Sequence, residues 1–255
     1  MQRDKPTTLI STFDENGSTI RGKSLVNELI GEVTFTSMIY FYILGRMPTP
    51  AQTTILDAVL VTLVDHGMVG AISARMVYRS SPDSIQGAVA TGMLGIGSQF
   101  GGVMEQVGFH LEEIIAASDP DGKAREIVTG YRAAKQSLPG FGHNDFRPED
   151  PRTPKLLKVG EAAGVPGKHI AALRTLGRAV DDVLGKHITI NATAGMAALL
   201  GEINVPWKIM RGFALISRAP GIVGHVYEEQ QRPAAGYVAR LAQESVLYAG
   251  DKAPS

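Results

Sequence analysis

The chain has 255 residues, no cysteine, and 25 basic against 25 acidic residues, so its formal net charge is zero. That excludes disulfides and thiolate chemistry, and it gives no electrostatic footprint for nucleic acid or for a charged membrane surface. The length suits one sizeable domain, or a large and a small one sharing a core, and an apolar fraction of 44% is sufficient for that core.

Met1, Gln2, Arg3, Asp4 and Lys5 lead into no apolar signal core, and the longest apolar stretches, such as residues 55–64, are too short to span a bilayer. The expectation is a cytoplasmic chain without a secretion signal. Residues 7–20 read as a β-prone arm with a hairpin turn at Asn16-Gly17. From there the periodicity is helical. Leu25, Val26, Leu29 and Ile30 recur at helical spacing, as do Phe35, Met38, Ile39 and Tyr42, with Gly45 as a stop. Thr49 and Pro50 supply an N-cap and a first-turn proline for a helix running to about Asp65. Residues 81–85 read as a turn and a helix start. Phe100, Val103, Met104, Val107, Leu111 and Ile114 predict a helix of about twenty residues. Ile170, Leu173, Leu176, Val180 and Val183 predict another, and residues 207–216 a third. Gly is frequent (29 residues), which points to close helix packing.

Two stretches break the helical pattern: residues 138–152 and the tail beyond Pro233. A loop of about fifteen residues inside a helical protein is more often functional than not. This one contains Gly140 and Gly142, which suit close backbone approach to a ligand and offer free N–H groups. His143 follows them and suits general acid/base work near neutral pH. Asp150 and Pro151 precede Arg152 at a helix start, and the planar arginine fork suits a bidentate carboxylate contact. No metal site is expected, since there is no cysteine and no histidine pair at i, i+3 or i, i+4. No G-x-x-x-x-G-K-[ST] phosphate loop is present, so direct use of ATP is not expected. The glycines at 92–102 lie in helical context, not after a strand, which speaks against a dinucleotide site.

Gly-Phe-Gly-His143 followed by Asp150-Pro151-Arg152 is similar to the active-site loop of citrate synthases and citryl-CoA lyases. The resemblance runs in register along nearly the whole chain: Arg21-Gly22; Glu28-Leu29-Ile30; Phe35; Leu44-Gly45-Arg46-Met47-Pro48; Asp65-His66-Gly67; Gly97-Ser98-Gln99-Phe100-Gly101-Gly102; Thr189-Ile190-Asn191 through Val205-Pro206; and Ser217-Arg218 through His225. It implies an all-α fold with a large domain (1–138 and 187–255), a small one (139–186) carrying the His143 loop, and a homodimer with sites near the interface. The short length resembles the lyase-type members. Phe100 agrees, since the synthases have a histidine there and the lyase module of ATP-citrate lyase has phenylalanine.

Residue by residue, the resemblance makes His143 the group that exchanges a proton with the substrate's central oxygen. It makes His66 a ligand of the oxaloacetate or citrate part, and Arg152 and Arg218 carboxylate-gripping cations. Arg232 matches a third arginine supplied across a dimer, and Lys155 and Lys158 are candidates for CoA phosphates, as Gly140 and Gly142 are for CoA contact. His225 is expected to pack structurally. Two departures stand out. Thr193 occupies the place of the family's catalytic aspartate, and a hydroxyl does not ionise near neutrality. Asn144-Asp145 replaces the usual Arg-Val after the histidine, which puts a carboxylate two residues from His143. Three readings therefore stay open: a lyase cleaving citryl-CoA or a related 3-hydroxy-acyl-CoA to acetyl-CoA and a 2-keto acid; altered acyl-CoA chemistry on the same scaffold (a hydrolase, a decarboxylase or another lyase); and a non-catalytic CoA or carboxylate binder. No permanently bound cofactor is expected, coenzyme A entering as part of the substrate.

Overall fold

A computed structural model describes residues 5–15, 17–98 and 102–250. It opens with a small antiparallel sheet in the order β1 (Ser11–Asp14), β2 (Gly17–Ile20), β3 (Lys23–Ser24). Ser11 pairs with Ile20 and Asp14 with Gly17, so the expected hairpin forms, although Asn16 of its turn lies outside the described residues. Leu25–Leu29 forms one π-helical turn, where regular helical spacing was expected. Ser24 caps it by accepting the Asn27 N–H, while the Glu28 carboxylate reaches back to the Ser24 N–H.

Eleven α-helices follow among the described residues: α1 (Phe35–Leu44), α2 (Pro50–Leu63), α3 (Met68–Ser80), α4 (Ile85–Leu94), α5 (Val103–Ala116), α6 (Pro120–Ala133), α7 (Arg152–Ala162), α8 (Lys168–Leu184), α9 (Ala192–Glu202), α10 (Met210–Gln231) and α11 (Ala235–Ser245). Local signals set many boundaries. Gly45 ends α1 in the left-handed conformation. Thr49 and Gln52 cap α2 reciprocally, side chain to backbone in both directions.

Three sequence expectations need correction. The helix expected from Phe100 is shorter, beginning at Val103, and Phe100 itself lies outside the described residues. The helix expected over 207–216 starts with a 3₁₀ turn (Trp207–Ile209) and continues as α10 through Pro220 to Gln231. The tail beyond Pro233 is not irregular throughout, because α11 occupies much of it. No Ser, Thr, Asp or Asn precedes α11. Its first N–H groups, those of Ala234 and Ala235, are instead accepted by the buried Glu229 carboxylate from the end of α10.

The chain divides by its contacts into two units, Met1–Val59 with Gln106–Lys208, and Leu60–Glu105 with Ile209–Ser255. These boundaries differ from the 139–186 division that the resemblance implied. In the first unit α9 is the central helix, buried from Ala194 to Glu202 and packed against α7 and α8, with α6 against α8. Ile170, Leu173, Leu176 and Val180 are the buried stripe of α8, as their spacing predicted. In the second unit α3, α4, α10 and α11 pack together around Ala74, Ala88, Ile222 and Val226. Among the described residues no helix is long and apolar enough to cross a membrane.

Candidate active site

The loop between α6 and α7 in the first unit is stapled to the strand-like lead into α9. Phe141 and Ile190 form an antiparallel bridge. The Asn191 N–H donates to Gly140 O (3.0 Å) and the Gly142 N–H to Thr189 O (2.7 Å). The Asn191 side chain donates to Gly142 O (3.1 Å), and Thr189 Oγ1 to Pro148 O (2.6 Å). The Gly142 N–H expected to be free for a ligand is thus already engaged. Gly140 is needed for packing. At φ +83° it faces α5 and α9, and a Cβ there would lie 2.7 Å from Val107 Cγ2 and 2.8 Å from Ala194 Cβ.

Asp150 anchors the other end of the loop. Its side chain is fully buried. It receives the Arg152 Nε (2.9 Å) and Nη2 (2.8 Å) in a bidentate fork, together with the N–H groups of Arg152 (3.1 Å) and of Ala192 (2.8 Å), the first residue of α9. Burial alone would push this carboxyl up. The Arg152 side chain and the two N–H groups outweigh it and hold the group below the ordinary carboxylate range. Arg152 is therefore a fixed cation at the start of α7, with Phe146 beneath its guanidinium at 5.1 Å.

His143 completes this cluster. Its Nδ1 accepts the N–H groups of Asp145 (3.0 Å) and Phe146 (3.1 Å), and its ring packs on Phe146. A nitrogen that accepts two N–H groups carries no proton while those bonds hold, so a neutral ring has its proton on Nε2. Nε2 faces Arg152 Nη2 at 3.1 Å. Arg152 Nη2 donates to Nε2 when that nitrogen is unprotonated, and both groups are donors when Nε2 carries the ring proton. An oxygen atom of a hydroxyl, carbonyl or carboxylate placed there would accept from both.

Thr193 is the second residue of α9, partly buried, one position beyond the N–H that Asp150 accepts. Thr193 thus follows directly on the strand-like lead, residues 189–191, to which the loop preceding His143 is stapled. It also brings an acid to the α9 N-terminus, Asp150, but that carboxylate is committed to Arg152. Asp145 is exposed, with its carboxylate 3.9 Å from His143 Nδ1, on the side of the ring away from Nε2. Lys155 and Lys158 are exposed on α7.

The second unit holds His66, Arg218 and Arg232. His66 is exposed in the turn between α2 and α3, after Asp65, whose Oδ2 accepts the Gly67 N–H (3.0 Å). Arg218 is partly buried on α10. Burial lowers its pKa from the ordinary arginine value, partly offset by the Asp65 charge nearby. Arg232 caps the end of α10 through its backbone, and its side chain is exposed. His225, expected to pack structurally, bridges two charged groups. Its Nε2 is 2.9 Å from Asp65 Oδ1, and its Nδ1 is 2.9 Å from Arg75 Nη2. Sequence reasoning passed over Arg75, a buried arginine inside α3, and quoted Asp65 and Asp150 without assigning them work.

The citrate synthase C-terminal domain model matches residues 7–240. The chain belongs to the citrate synthase family. A putative citrate synthase 2 of Mycobacterium tuberculosis is 28% identical over 212 residues, 80% of this chain and 53% of that protein. A citrate synthase of Haloferax volcanii is 27% identical over 223 residues, 84% of this chain and 55% of that one. The chain therefore spans about half the length of the curated relatives it matches. Among solved structures, citryl-CoA lyase from Hydrogenobacter thermophilus superposes with a TM-score of 0.87 at 30% identity, covering 98% of this chain and 96% of that one. ATP citrate lyase of Methanosaeta concilii, solved with (3S)-citryl-CoA, shares the fold at a TM-score of 0.77 and 18% identity, over 97% of this chain and 42% of its own. The family, the helical fold and the N-terminal strands are those expected from the sequence motifs.

Proposed function

We propose that this member of the citrate synthase family is a citryl-CoA lyase-like enzyme, cleaving citryl-CoA or a related 3-hydroxy-acyl-CoA to acetyl-CoA and a 2-keto acid. The observation that carries the reading is the convergence of His143 Nε2 and Arg152 Nη2, 3.1 Å apart. This is a position built for the central oxygen or a carboxylate of a citrate-like substrate. As the carbon–carbon bond breaks, that oxygen passes from hydroxyl to carbonyl, and two preorganised donors stabilise the alkoxide character that develops between them. His66 and Arg218 are carried in this reading as carboxylate-binding groups, by the resemblance of their motifs. Coenzyme A enters with the substrate. The likeness to a citryl-CoA lyase over nearly the whole of both chains supports cleavage, whereas the synthases match over about half their length. A homodimer belongs to this reading, and the exposed Leu9, Phe13 and Phe35 support it.

One observation favours the reverse direction. The proton on Nε2 suits donation to a carbonyl oxygen, which is the condensation step; a base for cleavage needs that nitrogen unprotonated. Assays in both directions decide. Citryl-CoA turnover is followed by release of acetyl-CoA and oxaloacetate, and condensation by release of the CoA thiol, each beside His143→Ala. Cleavage that is lost in the variant supports the lyase. Condensation alone makes the protein a synthase. Neither activity, with CoA or citrate still bound, makes it a binder.

A further inference from the structure

α10 presents a stripe of residues four apart, Ser217, Gly221, His225 and Glu229, to its neighbours in the second unit. Ser217 Oγ donates to Leu60 O. A Cβ on Gly221 would overlap the Val64 carbonyl, so the α10 backbone lies directly against the segment that leads into Asp65 and His66. Glu229, buried at the end of the stripe, pairs with Arg75 Nη1 at 3.0 Å. Arg75 is 2% exposed, and its guanidinium is further engaged by Glu228 and by His225.

The tautomer of His225 follows from its neighbours. Arginine only donates, so Nδ1 must accept from Arg75 (2.9 Å from Nη2, 3.3 Å from Nε), and the ring proton lies on Nε2. Nε2–H then donates to Asp65 Oδ1 at 2.9 Å. The other Asp65 oxygen accepts the Gly67 N–H at 3.0 Å, bracketing His66 in a tight turn, with Gly67 in the left-handed region at φ +64°.

From this chain of contacts we infer that Arg75 and His225 are positioning residues: through Asp65 they fix the turn that carries His66. The inference rests on the reading of His66 and Arg218 as carboxylate-binding groups. It goes beyond that reading by naming what holds the His66 turn. A purely structural role for the Arg75–Glu229 pair would not require a histidine of one tautomer between Arg75 and Asp65.

The test uses His225, because removing Arg75 would leave the buried Glu229 charge unpaired. In His225→Gln the amide oxygen can accept from Arg75 and the amide nitrogen can donate to Asp65. His225→Leu can do neither. Two readouts are taken. In ligand-free protein, hydrogen exchange at the Gly67 amide should speed up about tenfold in the leucine variant and stay near the parent rate in the glutamine variant. Citrate affinity by calorimetry should fall about tenfold with leucine and be restored with glutamine. Exchange that ignores both substitutions overturns the inference, as does equal loss of affinity in both. If the parent protein binds no citrate while Gly67 exchange still responds to leucine alone, the carboxylate reading fails and the positioning stands.

Discussion

The His143 loop and the Asp65–His66 turn each set an aspartate beside a histidine and an arginine, but the two aspartates are used differently. Asp150 is fully buried, takes both nitrogens of the Arg152 fork and caps the start of α9. Asp65 is half exposed, bonds to His225 and the Gly67 N–H, and acts on Arg218 only through its charge. A buried bidentate pair holds its arginine in one geometry before any substrate arrives. An arginine influenced by charge alone keeps its donors available. The first region is therefore rigid and the second electrostatically open, and the predictions that follow press on that contrast.

The largest effect is expected at His143, whose Nε2 faces Arg152. His143→Ala should lower turnover by about a hundred- to ten-thousand-fold, the usual contribution of a positioned acid or base, with citrate affinity much less changed. Steady-state kinetics and calorimetry on one preparation check both parts. A variant within threefold of the parent would remove His143 from the chemistry.

Asp150→Asn comes next, because it breaks the rigid region at its anchor. The amide supplies no charge for Arg152 and has a donor where Ala192 N–H needs an acceptor. Uncoupling a buried pair in this way costs about 3 kcal/mol, measured by urea unfolding. Equivalent substitution of the exposed Asp65 should cost far less stability, and equal losses would erase the contrast between the regions.

Acid should act through the same groups. Asp150, Asp65 and Glu229 all lie below the ordinary carboxylate range; in each, burial raises the value and hydrogen bonds outweigh it, from an arginine and backbone N–H groups at Asp150 and Glu229 and from His225 and backbone N–H groups at Asp65. A carboxylate depressed in the folded state contributes stability above its unfolded value, about 4, and that contribution is lost as pH falls through the lower folded value. Melting temperature should be flat from pH 6 to about 5 and fall below about 4. Asp150→Asn should flatten part of that fall.

Much of this architecture was legible in the sequence because its causes are local. The hairpin at Asn16-Gly17, the Thr49 cap, the Gly45 stop and the buried stripe of α8 each rest on residues within a few positions of one another. The motif around His143 and Arg152 was legible too, though not that its glycines staple the loop to the lead into α9. What escaped is held by partners distant in sequence. The buried charge of Arg75 is balanced by Glu229, 154 positions on, and nothing around either residue announces the other. α11 was missed for a related reason, since its cap is a glutamate from the preceding helix.

The smallest expected effect is the one that most sharpens the account of Thr193. Asp145 is the carboxylate that the sequence offers in place of the absent family aspartate. It lies 3.9 Å from His143 Nδ1, exposed, while the converging donors are on the Nε2 side. Its backbone N–H, not its side chain, is what holds the ring. Asp145→Asn preserves that N–H and should change turnover by less than about twofold, as expected of an exposed charge in high dielectric. A loss of tenfold or more would mean that the carboxylate swings to the reacting atoms when substrate binds, and Asp145 would then take the role that Thr193 cannot fill. Placing the acid back at its family position, in Thr193→Asp, separates the cases. A negative charge at the second position of α9 is favoured by the helix N-terminus. If the site lacks only that acid, activity should rise about tenfold. If Asp145 already serves, the added aspartate brings no gain.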